Sequence, residues 1–197
     1  MRRPPMPPRP PSSWSAAAPM PGASRRPTGA SWAGWPIRPA DDEEPMTEPT
    51  TLPPPLAEVR PDWVDNNGHM NMGFYMVVFD IATDQLWPEL GLGAPFRARG
   101  LGTFAAEAWV NYVREVHVGM PLACTSEVLG YDGKRLLAVH RMYHAGEGWL
   151  AAENEVLYLC IDLGRRRVTT WPEDVLARFA VCSTGRPARR LALARRG

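Results

Sequence analysis

The sequence predicts an α+β domain in which about five mostly antiparallel strands wrap around one long central helix. Three observations point there. One segment, 73–87, is apolar around most of a helical circumference; the chain after it alternates at period two between tight-turn signals; and the composition changes abruptly near residue 55.

The composition change sets the boundaries. Sixteen of the 22 prolines fall in the first 55 residues, mixed with Ser, Ala, Gly and Arg. Such a segment buries too little apolar surface to order itself, so 1–54 is expected to be a disordered Pro/Arg-rich extension. A proline-rich ligand for a partner domain is the functional alternative, and a true start at Met46 is the plain one, because MTEPTTLPPPLAEVRPDW leads directly into a first strand. The folded domain is expected over 55–182, with 183–197 a flexible, solvated Arg-rich tail.

Charge and cysteine use exclude several classes. The formal net charge is +1, but between Met46 and Cys182 there are 11 Arg plus Lys against 17 Asp plus Glu, giving 11 − 17 = −6. A mildly acidic domain offers no nucleic-acid face. Cys124, Cys160 and Cys182 lack the spacing of a zinc site or a disulfide framework and read as reduced core thiols in a cytoplasm. No run of about 18 apolar residues could span a membrane, and prolines interrupt any secretory or transit helix at the N-terminus.

The elements follow in order. A short strand is expected over 56–60, then a loop rich in Asp, Asn and Gly over 61–72. The helix 73–87 has Asn71 as its N-cap and Pro88 as its stop, and its breadth of apolar surface predicts that it is largely enclosed. Residues 103–116 then alternate, with Phe104, Ala106, Ala108, Val110 and Tyr112 on one face and Glu107, Trp109, Asn111 and Glu115 on the other. Strands at 122–131 and 136–144 are joined by the Asp-Gly turn YDGK, a fourth runs over 149–162, and a short helix over 172–179 closes the domain.

The densest polar cluster is DNNGHMN, from Asp65 to Asn71, immediately before the long helix. The first turn of a helix leaves N–H groups unpaired and partly positive, so it can hold a developing oxyanion; a carboxylate a few residues earlier can face the same carbonyl as nucleophile or as the base for water. Gly68 permits close backbone approach. Asp, Asn and Gly also cluster in turns for local reasons, so the residues alone leave both a helix-capping turn and an active site open.

The segment DNNGHMNMGFY resembles the D-x-x-G-H-x-N-x-x-x-Y signature of the 4-hydroxybenzoyl-CoA thioesterase branch of hot-dog proteins. The likeness continues through NYVREVHVGMPL, the DGK hairpin and HRMYHAGEG, over roughly 56–172. DNNGHMN, EAWVNYVREVHVG and KRLLAVHRMYHA resemble the betainyl-CoA thioesterase subgroup associated with carnitine breakdown. The resemblance implies a hot-dog fold and hydrolysis of a small acyl-CoA, with betainyl-CoA as a candidate substrate. A homodimer or homotetramer is implied; no cofactor and no metal are expected. It makes Asp65 the catalytic carboxylate and puts the oxyanion-binding N–H at Met72. Many relatives carry Asn where Met72 stands; a backbone donor survives that change.

The remaining candidates keep two readings each. His69 is a general acid/base or a ring that braces the loop, with bracing favoured because Asp65 holds the better position. Glu107 orients water or attracts a cationic acyl group, or it is an exposed sheet residue. Trp63, Trp109, Tyr112 and Trp149 offer ring faces to a quaternary ammonium group or are ordinary packing. Arg114 contacts CoA phosphates or is a solvated strand end. Asp65, His69, Met72 and Glu107 are the expected catalytic residues, and Gly68, Asn71, Trp109, Tyr112 and Arg114 the expected substrate contacts. His140 and His144 are four apart on a strand, about 13 Å, too far to share a metal ion. A hot-dog hydratase and a noncatalytic acyl-CoA-binding module are the alternative functions; the usual hydratase Asp/His motif is not visible.

Overall fold

A computed structural model describes residues 51–193. The extension expected over 1–54 therefore lies, through residue 50, outside the described residues, as do tail residues 194–197. The elements are β1 (Ala57–Glu58), a 3-10 turn (Pro61–Trp63), α1 (Met72–Leu86), α2 (Ala94–Ala98), β2 (Leu101–Tyr112), β3 (Pro121–Tyr131), β4 (Arg135–His144), β5 (Leu150–Asp162), β6 (Arg167–Val168) and α3 (Glu173–Cys182). The sheet is antiparallel in the order β1-β3-β4-β5-β2, with β6 added beside β5.

Local chemistry sets the helix ends. The Asn71 side chain accepts the Gly73 N–H at 3.0 Å, and at the far end Trp87 donates back to Thr83 before Pro88 stops the chain. Tyr75, Val78, Phe79, Ala82 and Leu86 recur at helical spacing and are buried against the sheet. Each large side chain so covered contributes roughly 1.5–3 kcal/mol. The opposite side is open: Met72, Met76, Val77 and Ile81 are exposed apolar residues. Within one chain the helix is thus enclosed on one side only, where its breadth of apolar surface predicts that it is largely enclosed.

Beneath α1 lies a polar cluster. His140 is fully buried, with Nδ1 2.8 Å from Ser126 Oγ and Nε2 3.1 Å from Thr83 Oγ1 and 3.3 Å from the Tyr158 hydroxyl. Burial pushes its pKa down to about 4, so the ring is neutral at pH 7.

A bulge corrects the predicted face of Phe104 and leaves the alternation from Glu107 to Tyr112 as expected. Ala105 pairs with Tyr158 and Glu107 with Leu157, so Ala106 is left over and the alternation resets. Ala105, Ala108, Val110 and Tyr112 share the side of Val156 and Tyr158, toward α1, and Phe104 moves to the outer side. β2 ends the sheet, hydrogen-bonded only to β5 among the described residues.

The residues after α3 also differ from the solvated tail predicted for them. Ala188, Leu191 and Leu193 pack on Leu129, Leu137, Val139 and Leu157, on the face opposite α1. The physical reason is Glu155, whose buried carboxylate accepts the N–H groups of Arg189, Arg190 at 2.9 Å and Leu191 at 2.8 Å. Beside it Arg141 bridges Glu127 and Glu153 at 2.9 Å each.

Candidate active site

The loop 63–71 folds back on itself like a narrow hairpin. Val64 bridges Met70, Asn71 N–H donates to Trp63 C=O at 2.9 Å, and Asp65 N–H donates to His69 C=O at 3.2 Å. Asp65 therefore stands at the tip of a loop whose returning arm runs directly into α1. Within the tip, Asp65 C=O accepts Gly68 N–H at 3.0 Å and its Oδ1 accepts Asn67 N–H at 2.8 Å. The carboxylate is thereby aimed by one oxygen, while Oδ2 has no partner among the described residues. Gly68 has φ +85°, with nothing within 4 Å of the position a Cβ would take, so the left-handed backbone is what reserves this position for glycine.

At the head of α1, Asn71 occupies the Gly73 amide and its own C=O accepts Phe74 N–H at 2.9 Å. The Met72 N–H has no acceptor among the described residues, the condition of a first-turn donor. The Met72 side chain points into solvent and is 67% exposed. Tyr112 reaches the same place from the end of β2: its hydroxyl lies 3.4 Å from Met72 C=O and its ring meets Tyr75 edge-on at 5.0 Å. Burial raises both phenols above their ordinary pKa, so both stay neutral. His69 turns its Nδ1 toward the adjacent Met70 C=O at 3.3 Å, a contact within the loop.

The structure brings together Asp65, Gly68, His69, Asn71, Met72 and Tyr112, with Trp63 at the base of the same loop, and puts Glu107 and Trp109 on another face of the sheet. Glu107 lies opposite Leu157, on the face of the sheet turned away from α1, so the register removes it from the Asp65 loop. Trp109 shares that outer face, with the Arg189 and Arg190 guanidinium carbons 5.8 and 5.7 Å from its ring. Arg114 stacks on Trp149 at 4.2 Å, and His144 takes the same ring at 5.1 Å. Trp63 is likewise held between Arg60 and Phe74. Several ring faces proposed for a cationic ligand are thus covered by the chain's own side chains, which leaves Tyr112 next to the helix head.

One residue at the loop gave no local signal. His117, between β2 and β3, places Nδ1 2.9 Å from Gly68 C=O, 49 positions away. A bond to a backbone carbonyl over that separation has no motif. Among the described residues no group of three His, Cys, Asp or Glu could hold a metal ion, and no helix is long and apolar enough to cross a membrane. Cys124, Cys160 and Cys182 are free thiols.

The family model of the thioesterase-like superfamily matches residues 59–179, from just after β1 through most of α3. The chain belongs to the thioesterase-like superfamily. Within it, the betainyl-CoA thioesterase of Pseudomonas aeruginosa is 38% identical over 121 residues, covering 61% of this chain and 76% of that protein. The L-carnitine dehydrogenase/betainyl-CoA thioesterase of Agrobacterium fabrum is 36% identical over 123 residues, 61% of this chain but only 25% of that longer protein. Among solved structures, a hypothetical protein from Staphylococcus aureus in complex with CoA superimposes with TM-score 0.61 at 24% identity, over 70% of this chain and 87% of its own. The curled antiparallel sheet around α1 is the hot-dog fold of this superfamily, and the Asp65 loop and helix head lie inside the matched span.

Proposed function

We propose that this chain hydrolyses a small acyl-CoA thioester to the free acid and CoA, with Asp65 as the nucleophile or as the base that activates water. The observation that carries the reading is the pairing of a carboxylate with one unengaged oxygen and an unpaired helix-head N–H, both presented by one loop. The thioester carbonyl sits between them, its oxygen toward Met72 N–H and its carbon toward Asp65. As the tetrahedral intermediate forms, the charge gathering on that oxygen is met by the amide and by the positive end of α1. Collapse expels the CoA thiolate, which takes up a proton; with Asp65 as base the acyl group leaves directly as the free acid, and with Asp65 as nucleophile water then hydrolyses the acyl–Asp65 anhydride to the free acid and the carboxylate. Tyr112 flanks the acyl side.

Likeness to a betainyl-CoA thioesterase supports an acyl-CoA substrate and makes betainyl-CoA the first to try. In that ester the cation is two bonds from the carbonyl, so it would lie beside the Tyr112 ring and the Asp65 charge, which supports a cationic group by the ring quadrupole and by Coulomb attraction. The protein is further proposed to be a cytoplasmic homodimer or homotetramer. The unpaired edge of β2 and the exposed apolar side of α1 support a second copy as their cover.

Thiol release should be followed across betainyl-, acetyl-, aromatic and long-chain CoA esters, with light scattering at micromolar concentration. The reading expects turnover of a short ester and a mass at least twice 21.9 kDa. No thiol release from any ester, or a stable active monomer, would overturn the corresponding part.

A further inference from the structure

We infer that His117 is a positioning residue for the Asp65 carboxylate, acting through the carbonyl of Gly68. The inference rests on the proposed role of Asp65 and adds a residue from a different part of the chain to it.

The geometry is a relay of backbone bonds. A carbonyl oxygen only accepts, so His117 Nδ1 carries the proton and donates to Gly68 C=O at 2.9 Å. Gly68 in turn donates its N–H to Asp65 C=O, and the turn these two close is the one in which Asn67 N–H fixes Asp65 Oδ1. With φ at +85° and nothing within 4 Å of the place a Cβ would take, Gly68 has no side-chain packing to help hold the loop there. The imidazole is the one side chain hydrogen-bonded to Gly68 C=O among the described residues.

His117 is itself placed with care. Val116, fully buried, accepts the Met70 N–H at 2.9 Å; Gly119 donates to Val59 C=O at 2.9 Å; and Met120 N–H closes a turn on His117 C=O at 3.1 Å. The segment 113–120 is thus tied at Met70 and at Val59, on either side of the Asp65 tip. The ring contributes its bond in both protonation states, since Nδ1–H is present in the Nδ1 tautomer and in the imidazolium. A displacement of about 1 Å at a reacting group can cost on the order of 100-fold in rate, so a side chain that only steadies a peptide plane has a kinetic effect.

The experiment compares His117→Leu, which keeps bulk without a donor, with His117→Asn, whose amide nitrogen stands near the Nδ1 position. The ring is exposed, so neither change opens a core cavity. His117→Leu should lower kcat about tenfold or more with little change in KM, and His117→Asn should recover most of it. In an Asp65→Asn background the Leu change should cost nothing further. Amide exchange at Asn67 and Gly68 should quicken in His117→Leu and return toward wild type in His117→Asn. Wild-type kcat in His117→Leu, or a loss of the same size in the Asp65→Asn background, overturns the inference. Should Asp65→Asn itself stay active, the catalytic reading fails, while unchanged exchange at Asn67 and Gly68 would separately refute the clamp.

Discussion

Asp65 and Glu155 are both carboxylates held by backbone N–H groups, and they have opposite fates. Glu155 is 1% exposed and collects three amides from the chain that crosses over it. Asp65 is half-buried at a loop tip and has one amide on one oxygen. A carboxylate saturated with donors is committed to holding the fold together. One that is oriented but left short of donors remains able to meet a substrate, and its orientation is the part the fold supplies.

Exchanging each for its amide tests that contrast most strongly. Asp65→Asn keeps the volume and the turn but loses the nucleophile or base, so kcat should fall on the order of 100-fold or more while unfolding free energy moves by under about 1 kcal/mol. Near-normal turnover in a folded Asp65→Asn protein would end the assignment. Glu155→Gln should show the reverse. An amide nitrogen turned toward backbone N–H groups leaves buried donors unpaired, at a cost of about 2–3 kcal/mol in denaturant unfolding, with kcat per folded molecule unchanged. A large loss of kcat there would mean that the outer face communicates with the loop.

A pH series sharpens the contrast from the side of stability. His140 titrates at about 4 in the folded chain because of burial, against 6.5 for the free side chain. Its folded value is depressed, so the stability tied to the neutral ring is complete above pH 6.5 and is lost as pH falls toward 4, where the unfolded chain binds the extra proton. The slope should approach roughly 1.4 kcal/mol per pH unit, and His140→Gln should flatten it. An unchanged slope would assign acid sensitivity to other groups, among them Glu127. Burial would raise that carboxyl, but the Thr184 hydroxyl and the Arg141 guanidinium outweigh it and hold the carboxyl below its usual value. The smallest effect is expected at Met72: Met72→Ala removes an exposed side chain and keeps the amide, so kcat should stay within about threefold, compared in the same assay as Asp65→Asn.

The helix cap at Asn71, the stop before Pro88 and the Asp132-Gly133 hairpin were legible because each is local. Asp132 Oδ1, for example, accepts the N–H groups of Lys134 and Arg135 at 2.8 Å, within its own turn. The cluster before α1 was legible as a candidate site for the same reason. The placement of Phe104 was not, since strict alternation, which holds on β2 from Glu107 to Tyr112, cannot foresee that one residue, Ala106, is left unpaired. Nor were His117 and the crossing of 188–193 over Glu155, because both join residues dozens of positions apart through backbone groups that every sequence has. The open side of α1 shows a related limit: apolar content reports that a surface wants cover, and not whether the same chain provides it.

The three amides over Glu155 have a consequence for the order in which the protein is made. They come 34, 35 and 36 positions after the glutamate they serve. When β5 leaves the ribosome, its outward-facing carboxylate has no donors yet, and α3 must be synthesised before they arrive. Until then the segment that covers Leu129, Leu137, Val139 and Leu157 in the folded chain has not been made, and a sheet formed that early would leave these side chains open to other apolar surfaces.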